Sequence, residues 1–394
     1  MKRLTLEEWE KKYIVGPVER FDQKNEMFKR PFWDPEFRDL KRKALGLVIP
    51  KDRAGYGLSE VALADAAWYL EYGFAQSIVV GQTGLLSWDS TPVGVNKMPD
   101  GLKIEVTEPE RLTRDIKKVA TYFGADLVGV CRLDRRWLYS NSFNFFSRES
   151  KPVEIPEEYE YAIVMAHEMD YNLIRYAPTD IGDAGTGMGY TKMAFTAGLL
   201  ARFIRDLGYK AVPCGNDTAL SVPMAMQAGL GELARNGLLI TREYGPRVRL
   251  SKVFTDLPLA VDRPIEFGVT GFCSKCLRCT DSCPSRAIIP GERTTEPHNI
   301  SNASGELKWP VDGEKCLKFW GANGCSCIVC IRVCLFNKHM NWFHRSVGWV
   351  ATHVPWATSL LVRADSLLGY GKQADAEHFW GEWQPRSGLR ITQR

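Results

Sequence analysis

The pattern of apolar and polar residues predicts helices that alternate with short strands. Apolar positions recur at helical spacing in three segments, residues 59–72, 108–123 and 190–207. Short apolar runs, typical of buried strands, occupy residues 126–131, 161–166 and 210–213. This alternation indicates a layered α/β domain in which helices cover a sheet.

The pattern changes along the chain and predicts four regions. Residues 1–110 are rich in tryptophan, proline and glycine and indicate an irregular, aromatic N-terminal region. Residues 111–265 carry the alternating pattern of the α/β domain. In residues 266–340 the pattern is interrupted by cysteine, glycine and proline, which indicates a metal-organised domain. Residues 341–394 carry five tryptophans and predict a C-terminal segment that wraps over the earlier domains.

Composition and charge exclude several classes of protein. With 45% hydrophobic and 25% charged residues, the chain is typical of globular proteins. The longest stretches without Asp, Glu, Lys or Arg, residues 72–88 and 346–362, have 17 residues each. They fall short of the roughly 20 apolar residues of a membrane-spanning helix. The net charge is only +4, without a long basic run, so we expect no nucleic-acid partner.

Nine of the eleven cysteines lie in one segment that begins at Cys273 and ends at Cys334. The first run, spaced C-x2-C-x2-C-x3-C-P, consists of Cys273, Cys276, Cys279 and Cys283. This is the bacterial ferredoxin run, in which three thiolates hold one cubane and the fourth reaches the other cluster. The second run, spaced C-x10-C-x2-C-x3-C, consists of Cys316, Cys327, Cys330 and Cys334.

Each run supplies the ligand that the other lacks. We assign one [4Fe-4S] cluster to Cys273, Cys276, Cys279 and Cys334. We assign the other to Cys316, Cys327, Cys330 and Cys283. Zinc held by four thiolates at each site stays open as an alternative, as does Cys325 in place of Cys327. Two cubanes carry electrons but transform no substrate, so the chemistry is expected in the α/β domain.

Three closely spaced glycines, Gly185, Gly187 and Gly189, precede the helix predicted from Tyr190. Their spacing differs from the G-x-G-x-x-G of dinucleotide-binding proteins, and no convincing acidic residue follows about 20 positions later. They predict a tight loop that enters the helix and allows a large planar cofactor to approach closely.

Four motifs resemble those of a known family: CGNDT at residues 214–218, GLGELARNG at 229–237, EYGPRVR at 243–249 and KVFTDLP at 252–258. Followed by the two cysteine runs, they make the chain resemble the catalytic subunit of corrinoid-dependent reductive dehalogenases. The resemblance implies an α+β fold class, with a nitroreductase-like α/β corrinoid-binding domain and a bacterial-ferredoxin-like domain holding two [4Fe-4S] clusters. It also implies a base-off cobalamin-type corrinoid and the reductive removal of halide from an organohalide.

Replacing a halide by hydrogen consumes two electrons and one proton, so the site needs an acid. The resemblance places Tyr190 at the position of the family's proton donor and Arg249 at that of its cation. A cation within about 4–6 Å lowers a phenol pKa of about 10 by roughly one to three units. Arg247 points to the same face of a predicted strand, and the residues alone do not separate it from Arg249.

The resemblance implies three further site residues. Asn216 is expected to hydrogen-bond near the halide or the tyrosine, and Thr186 and Trp320 are expected to line the substrate pocket. Tryptophans of the N-terminal region, among them Trp68 and Trp88, belong either to the core or to the pocket wall.

Two other functions stay open. Epoxyqueuosine reductase, which acts on transfer RNA, has the same module order, but its second cysteine run usually begins with a longer gap. A ferredoxin-type electron carrier would use the clusters without a substrate site. The chain contains no D-x-H-x-x-G motif, so no histidine ligand for cobalt is recognisable, which fits a base-off corrinoid.

The expected partners are a small organohalide and an electron donor, either a membrane-anchor subunit or a soluble ferredoxin or flavodoxin. Electrons would pass from the cluster of Cys273 to that of Cys327 and then to cobalt. A homodimer is compatible with the sequence. The N-terminal residues lack the apolar core of an export signal, which the family's respiratory members usually carry. We expect a processed chain on the outer face of the cytoplasmic membrane, with a cytoplasmic protein as the alternative.

Overall fold

A four-stranded antiparallel sheet forms the centre of the computed structural model, which describes residues 1–41, 49–71, 101–339 and 341–383. Its strands are Leu127–Arg132 (β2), Tyr161–Glu168 (β5), Ala211–Cys214 (β6) and Val248–Thr255 (β9), in the order β2-β5-β9-β6. The three apolar runs are thus confirmed as strands. Nearly every residue of the two central strands is buried, because both faces of the sheet are covered.

Successive residues of the central strands enter opposite cores, because side chains alternate along a strand. Ile163, Met165 and Val253 pack with the helices Pro109–Tyr122 (α3) and Asp180–Asp206 (α5). On the other face, Val164 and Phe254 pack with Leu6–Tyr13 (α1) and Ser221–Gln227 (α6). Helix α3 confirms the prediction for residues 108–123.

Helix α5 corrects one prediction. It begins at Asp180, whereas the sequence predicts a loop through Gly185, Gly187 and Gly189 and a helix only from Tyr190. Each helical glycine costs about 1 kcal/mol relative to alanine, but these glycines let neighbouring groups pack directly on the helix. A Cβ atom at Gly185 would lie 3.0 Å from Cβ of Leu173. Tertiary packing therefore overrides local propensity.

The N-terminal region contributes one long element to this core. Helix Leu58–Leu70 (α2) packs against α5 and confirms the prediction of a helix from residue 59, whose predicted end at residue 72 lies outside the described residues. Trp88 lies outside the described residues.

The smaller elements between the N-terminus and the cysteine runs are β1 (Lys2–Arg3), β3 (Asn141–Asn144), β4 (Glu149–Pro152), β7 (Glu232–Leu233), β8 (Leu239–Ile240), β10 (Ile265–Glu266), α4 (Tyr171–Ile174) and 3-10 turns at Gln23–Asn25, Arg30–Phe32, Pro35–Leu40 and Arg135–Trp137.

Short helices carry the cysteine runs and are followed by the C-terminal segment. The helices are α7 (Val269–Lys275), α8 (Arg278–Asp281), α9 (Gly313–Asn323) and α10 (Val329–Arg332), then α11 (Trp342–His353), a 3-10 turn (Pro355–Ala357), α12 (Thr358–Leu367) and α13 (Phe379–Glu382). Phe379 is buried against Tyr176 next to α5, so the segment returns to the sheet domain. Across the described ranges, the helices are all too short or too polar to cross a membrane.

Candidate active site and metal centres

Tyr190 lies in the middle of α5, where three side chains from different elements contact it. The Trp68 ring from α2 stacks on the Tyr190 ring with their centroids 4.7 Å apart. The Arg249 guanidinium from β9 lies 5.0 Å from the Tyr190 ring centroid. Nδ2 of Asn216, which follows β6, lies 3.4 Å from the Tyr190 hydroxyl oxygen. The structure therefore brings the predicted Tyr190, Arg249 and Asn216 together.

Two glycines of α5 make these close contacts possible. A Cβ atom at Gly187 would lie 2.5 Å from the indole ring of Trp68, and one at Gly189 would lie 2.9 Å from Cγ of Arg249. Real Cβ atoms do not approach other heavy atoms so closely. The close approach that these glycines allow is thus made by the side chains of Trp68 and Arg249, and the approach of a planar cofactor stays a prediction.

Opposing effects act on the pKa of Tyr190. Burial raises this pKa above its ordinary value, whereas the positive charge of Arg249 lowers it. The carboxylates of Glu71 and Glu26 raise the pKa further, and the hydrogen bond from Asn216 lowers it. The net direction is upward, so the phenol keeps its proton at neutral pH. Sequence reasoning missed both carboxylates, because no spacing relates them to Tyr190.

The structure separates the two arginines that the sequence left unresolved. Arg247 is buried, forms an ion pair with Glu168 at 2.9 Å and donates to the Lys338 carbonyl oxygen at 2.9 Å. Arg249 instead faces Tyr190, and its buried Nε lacks a hydrogen-bond partner among the described residues. The Arg249 Nε donor and the exposed Asn216 amide could therefore both bind an acceptor group of a cofactor or substrate.

The two predicted pocket residues lie in different surroundings. Thr186 is buried one turn before Tyr190, and its hydroxyl donates to the Gly182 carbonyl oxygen at 3.4 Å. Trp320 lies on α9 and packs between Phe28, at 5.5 Å between ring centroids, and a cluster that contains Cys327. Thr186 is therefore close to Tyr190 along the helix, whereas Trp320 adjoins the cysteine segment.

The first group of thiols joins both cysteine runs. The Cys273 thiol lies within electrostatic range of the thiols of Cys276, Cys279 and Cys334. Burial raises the pKa of Cys279 to about 11 and that of Cys334 to about 12. Iron binds the thiolate form, so cluster binding would release protons from these buried groups. We call these four residues the first tetrad.

The second group of thiols consists of the other four residues that the sequence assigned to a cluster. The Cys330 thiol interacts with those of Cys316, Cys327 and Cys283, and also with Cys279 of the first tetrad. Burial raises the pKa of Cys316 to about 12 and that of Cys327 to about 11. These four residues form the second tetrad, which therefore adjoins the first.

Cys283 differs from the other members of the second tetrad. Burial raises its pKa, but hydrogen bonds from Ser285 and from the backbone near Ala287 outweigh this effect and lower the pKa overall. Cys325 lies outside the tetrad, with its Sγ 3.1 Å from Nδ2 of Asn323 and 3.6 Å from the Pro178 carbonyl oxygen. The Cys325 thiol thus contacts Asn323 and Pro178, whereas the Cys327 thiol interacts with Cys330 of the second tetrad.

The tetrads have the donor set of polynuclear clusters. Within the described part of the chain, no three His, Cys, Asp or Glu side chains converge as a single-ion site would require. A cubane places its own iron and sulfide atoms between its thiolates, so its ligands do not converge on one ion. Four thiols are also the donor set that a [4Fe-4S] cluster uses.

The chain is similar to known proteins over most of its length. The chain is 34% identical over 380 residues to the tetrachloroethene reductive dehalogenase of Sulfurospirillum multivorans, covering 88% of this chain and 75% of that protein. It is 38% identical over 326 residues to a tetrachloroethene reductive dehalogenase of Desulfitobacterium hafniense, covering 73% of this chain and 59% of the relative. No model of a protein family matches the chain.

A solved structure shares the fold over nearly the whole chain. It is a reductive dehalogenase whose structure suggests a mechanism for B12-dependent dehalogenation, with a TM-score of 0.73 and 25% sequence identity. The match covers 95% of this chain and 49% of that protein. The chain thus spans about half the length of this structural relative.

Proposed function

Because the chain belongs to the reductive dehalogenases, we propose that it replaces a halogen of an organohalide by hydrogen. The reaction adds two electrons and one proton to the substrate, breaks the carbon–halogen bond, forms a carbon–hydrogen bond and releases halide. One observation carries the proposal: the Tyr190 hydroxyl accepts a hydrogen bond from Asn216 beside Arg249, in a chain that also gathers two thiol tetrads.

The proposed cofactors are two [4Fe-4S] clusters, one in each tetrad, and a base-off cobalamin-type corrinoid near Tyr190. When bound, the corrinoid would supply low-valent cobalt as the reductant of the carbon–halogen bond. The unsatisfied Nε of Arg249 and the exposed Asn216 amide are donors that fit this environment. The sheet domain would then be the nitroreductase-like unit and the cysteine segment the ferredoxin-like unit of the proposed architecture.

Tyr190 is the proposed proton donor. Burial raises its pKa, so at neutral pH the hydroxyl retains the proton that the carbon centre needs. After transfer, the positive charge of Arg249 and the hydrogen bond from Asn216 would stabilise the phenolate. The same residues therefore hold the acid in place and favour its conjugate base.

The second tetrad is the proposed exit for electrons toward the active site. Cys330 of this tetrad packs in a cluster with Met169, and a Cβ atom at Gly189 would lie 3.0 Å from Cγ of Met169. Ser326, next to Cys327, donates a hydrogen bond to Asp183 of α5. An external donor would reduce the first tetrad, whose Cys279 adjoins Cys330.

Metal analysis and halide release test the proposal. After anaerobic reconstitution with iron, sulfide and cobalamin, we expect about eight irons and one cobalt per chain, as two cubanes and one corrinoid require. With tetrachloroethene as the probe and a reduced viologen as the donor, the protein should release chloride. We expect Tyr190→Phe to lower kcat by about 10²–10⁴-fold, the usual contribution of a general acid, without changing the cobalt or iron content.

Tyr122→Phe is the matched control, because Tyr122 is 86% exposed on α3. This variant should release chloride at the rate of the unchanged protein. Iron without cobalt would leave an electron carrier and overturn the proposal. Reduction of an epoxyqueuosine-containing transfer RNA, without any chloride release, would move the function to the alternative reductase.

A further inference from the structure

A line of hydrogen bonds leads from a buried lysine to the Tyr190 hydroxyl. Nζ of Lys252 lies 2.8 Å from Oγ of Ser221, and Oγ of Ser221 lies 3.3 Å from Oδ1 of Asn216. Nδ2 of the same Asn216 amide lies 3.4 Å from the Tyr190 hydroxyl. The line joins β9, the first residue of α6, the segment after β6 and the middle of α5.

Lys252 is fully buried and binds the segment that carries Asn216. Its ammonium group donates to the carbonyl oxygens of Gly215 and Ala219, on either side of Asn216, as well as to Ser221. Burial lowers the pKa of Lys252 below its ordinary value, and the neighbouring Cys214 and Asp217 oppose this effect. A buried ammonium is costly unless its donors are satisfied, so the three oxygens account for its position.

The lysine also determines the direction of the hydrogen bonds. An ammonium group only donates, so Ser221 accepts from Lys252 and directs its own proton to its other neighbour, Oδ1 of Asn216. With Oδ1 engaged by Ser221, the amide presents its Nδ2 donor to the Tyr190 oxygen. The Tyr190 oxygen therefore accepts, and its own proton remains free for transfer.

We infer that Lys252 and Ser221 are positioning residues that orient the Asn216 amide and thereby prepare the Tyr190 hydroxyl to donate its proton. Neither residue needs to contact the substrate. The catalytic part of this inference rests on the proposed function, whereas the orientation of the amide does not. The two parts can be tested separately.

The orientation is tested through the pKa of the phenol at position 190. Substituting a difluorotyrosine there provides a phenol that titrates nearer neutral pH and a fluorine NMR signal that reports its ionisation in the reconstituted protein. In this background, Ser221→Ala should raise the pKa by about half to one unit, because a donor to the phenolate is lost. Asn216→Asp should raise it further, because a carboxylate cannot donate.

Other groups that face Tyr190 are Arg249, Glu71, Glu26 and Tyr139. These groups remain in place in the variants, so the comparison measures only the effect of the line of hydrogen bonds through Ser221 and Asn216. Ser221→Thr keeps the hydroxyl and should restore the original pKa. Ser251→Ala is the matched control, because Ser251 is buried on the same strand as Lys252 but contacts His167. It should leave the pKa unchanged.

The catalytic role is tested by kinetics in the natural Tyr190 background. Ser221→Ala should lower kcat for chloride release about tenfold with little change in KM. In an Asn216→Ala background, the same substitution should have no further effect, because Ser221 acts through Asn216. A double-mutant cycle measures this directly.

The outcomes distinguish failure of the inference from failure of the proposed function. An unchanged phenol pKa in a folded Ser221→Ala protein would overturn the inference. Equal effects of Ser221→Ala on kcat with and without Asn216 would reject its catalytic part. A shifted pKa in a protein that releases no halide would keep the orientation and reject the dehalogenase. Normal chloride release by Ser221→Ala would reject only the catalytic role of this line of hydrogen bonds.

Discussion

At the scale of single residues, Tyr190 combines two properties that a proton donor needs. Burial and the carboxylates of Glu71 and Glu26 raise its pKa, whereas Arg249 and Asn216 lower it. The first set keeps the proton on the oxygen, and the second set would stabilise the phenolate after the proposed proton transfer. Arg247, two positions before Arg249, makes different contacts: its ion pair with Glu168 lies within the sheet domain, and its hydrogen bond to the Lys338 carbonyl oxygen connects this domain to the cysteine segment.

Arg249→Gln should lower kcat for chloride release by about tenfold or more, since a nearby cation shifts a phenol pKa by roughly one to three units. The Tyr190 pKa rises when the positive charge is lost. An acid is active in its protonated form, so the alkaline limb of the pH profile of kcat should move to higher pH. Arg249→Lys should retain part of the effect. An unchanged alkaline limb in Arg249→Gln would contradict the assignment.

At the scale of elements, the packing of α2 on α5 depends on glycine. The stacking of Trp68 on Tyr190 requires the indole to lie where a Cβ atom of residue 187 would stand. A helix with ordinary side chains at Gly187 and Gly189 would have higher local propensity but would push Trp68 and Arg249 away from Tyr190. The glycines thus lower the local stability of α5 but allow α2 to pack closely against it.

Gly187→Ala should destabilise the protein by about 1–3 kcal/mol, the usual cost of overpacking, and lower the midpoint of thermal unfolding by several degrees. Circular dichroism on heating measures this change. Gly348→Ala is the matched control, because Gly348 also lies in a helix but a Cβ atom there would meet nothing within 4 Å. That control should be neutral or slightly stabilising. Equal midpoints for the two variants would refute the packing argument.

At the scale of the whole molecule, the last thiol of each cysteine run lies in the tetrad that contains the first three thiols of the other run. Cys334 joins the first tetrad and Cys283 joins the second, and the two groups adjoin through Cys279 and Cys330. The C-terminal segment then covers this region, since Asp365 of α12 forms ion pairs with Arg278 and Lys338. The proposed electron transfer between the tetrads and toward α5 would thus depend on the assembly of distant segments.

Cys327→Ala should reduce the iron content of the reconstituted protein from about eight to about four atoms per chain, because one cubane loses a ligand. Cys334→Ala should cause a similar loss from the other tetrad. Cys325→Ala is the control for the first of these, because Cys325 contacts Asn323 and Pro178 instead of the tetrad. Full iron content in Cys327→Ala, with a loss in Cys325→Ala, would reverse the assignment of the two cysteines.

By itself, the sequence determined the features that depend on neighbours along the chain. Short apolar runs identified β2, β5 and β6, because such runs are typical of buried strands. Apolar positions at helical spacing identified α2 and α3, because this spacing reflects the buried face of a helix. Cysteine spacing predicted two sets of four cluster ligands, because C-x2-C-x2-C suits one cluster and a fourth thiol cannot reach it locally. The assignment of these thiols to two clusters stays a prediction. The family resemblance then indicated Tyr190, Arg249 and Asn216.

Only the tertiary structure decided what depends on distant segments. The start of α5 at Asp180 follows from groups that pack on its glycines. The difference between Arg247 and Arg249 follows from the elements that each one faces. The line from Lys252 through Ser221 to Asn216 joins β9, α6 and the segment after β6. No periodicity records such contacts, because they arise only when the chain has folded and burial forces each polar group to find a partner.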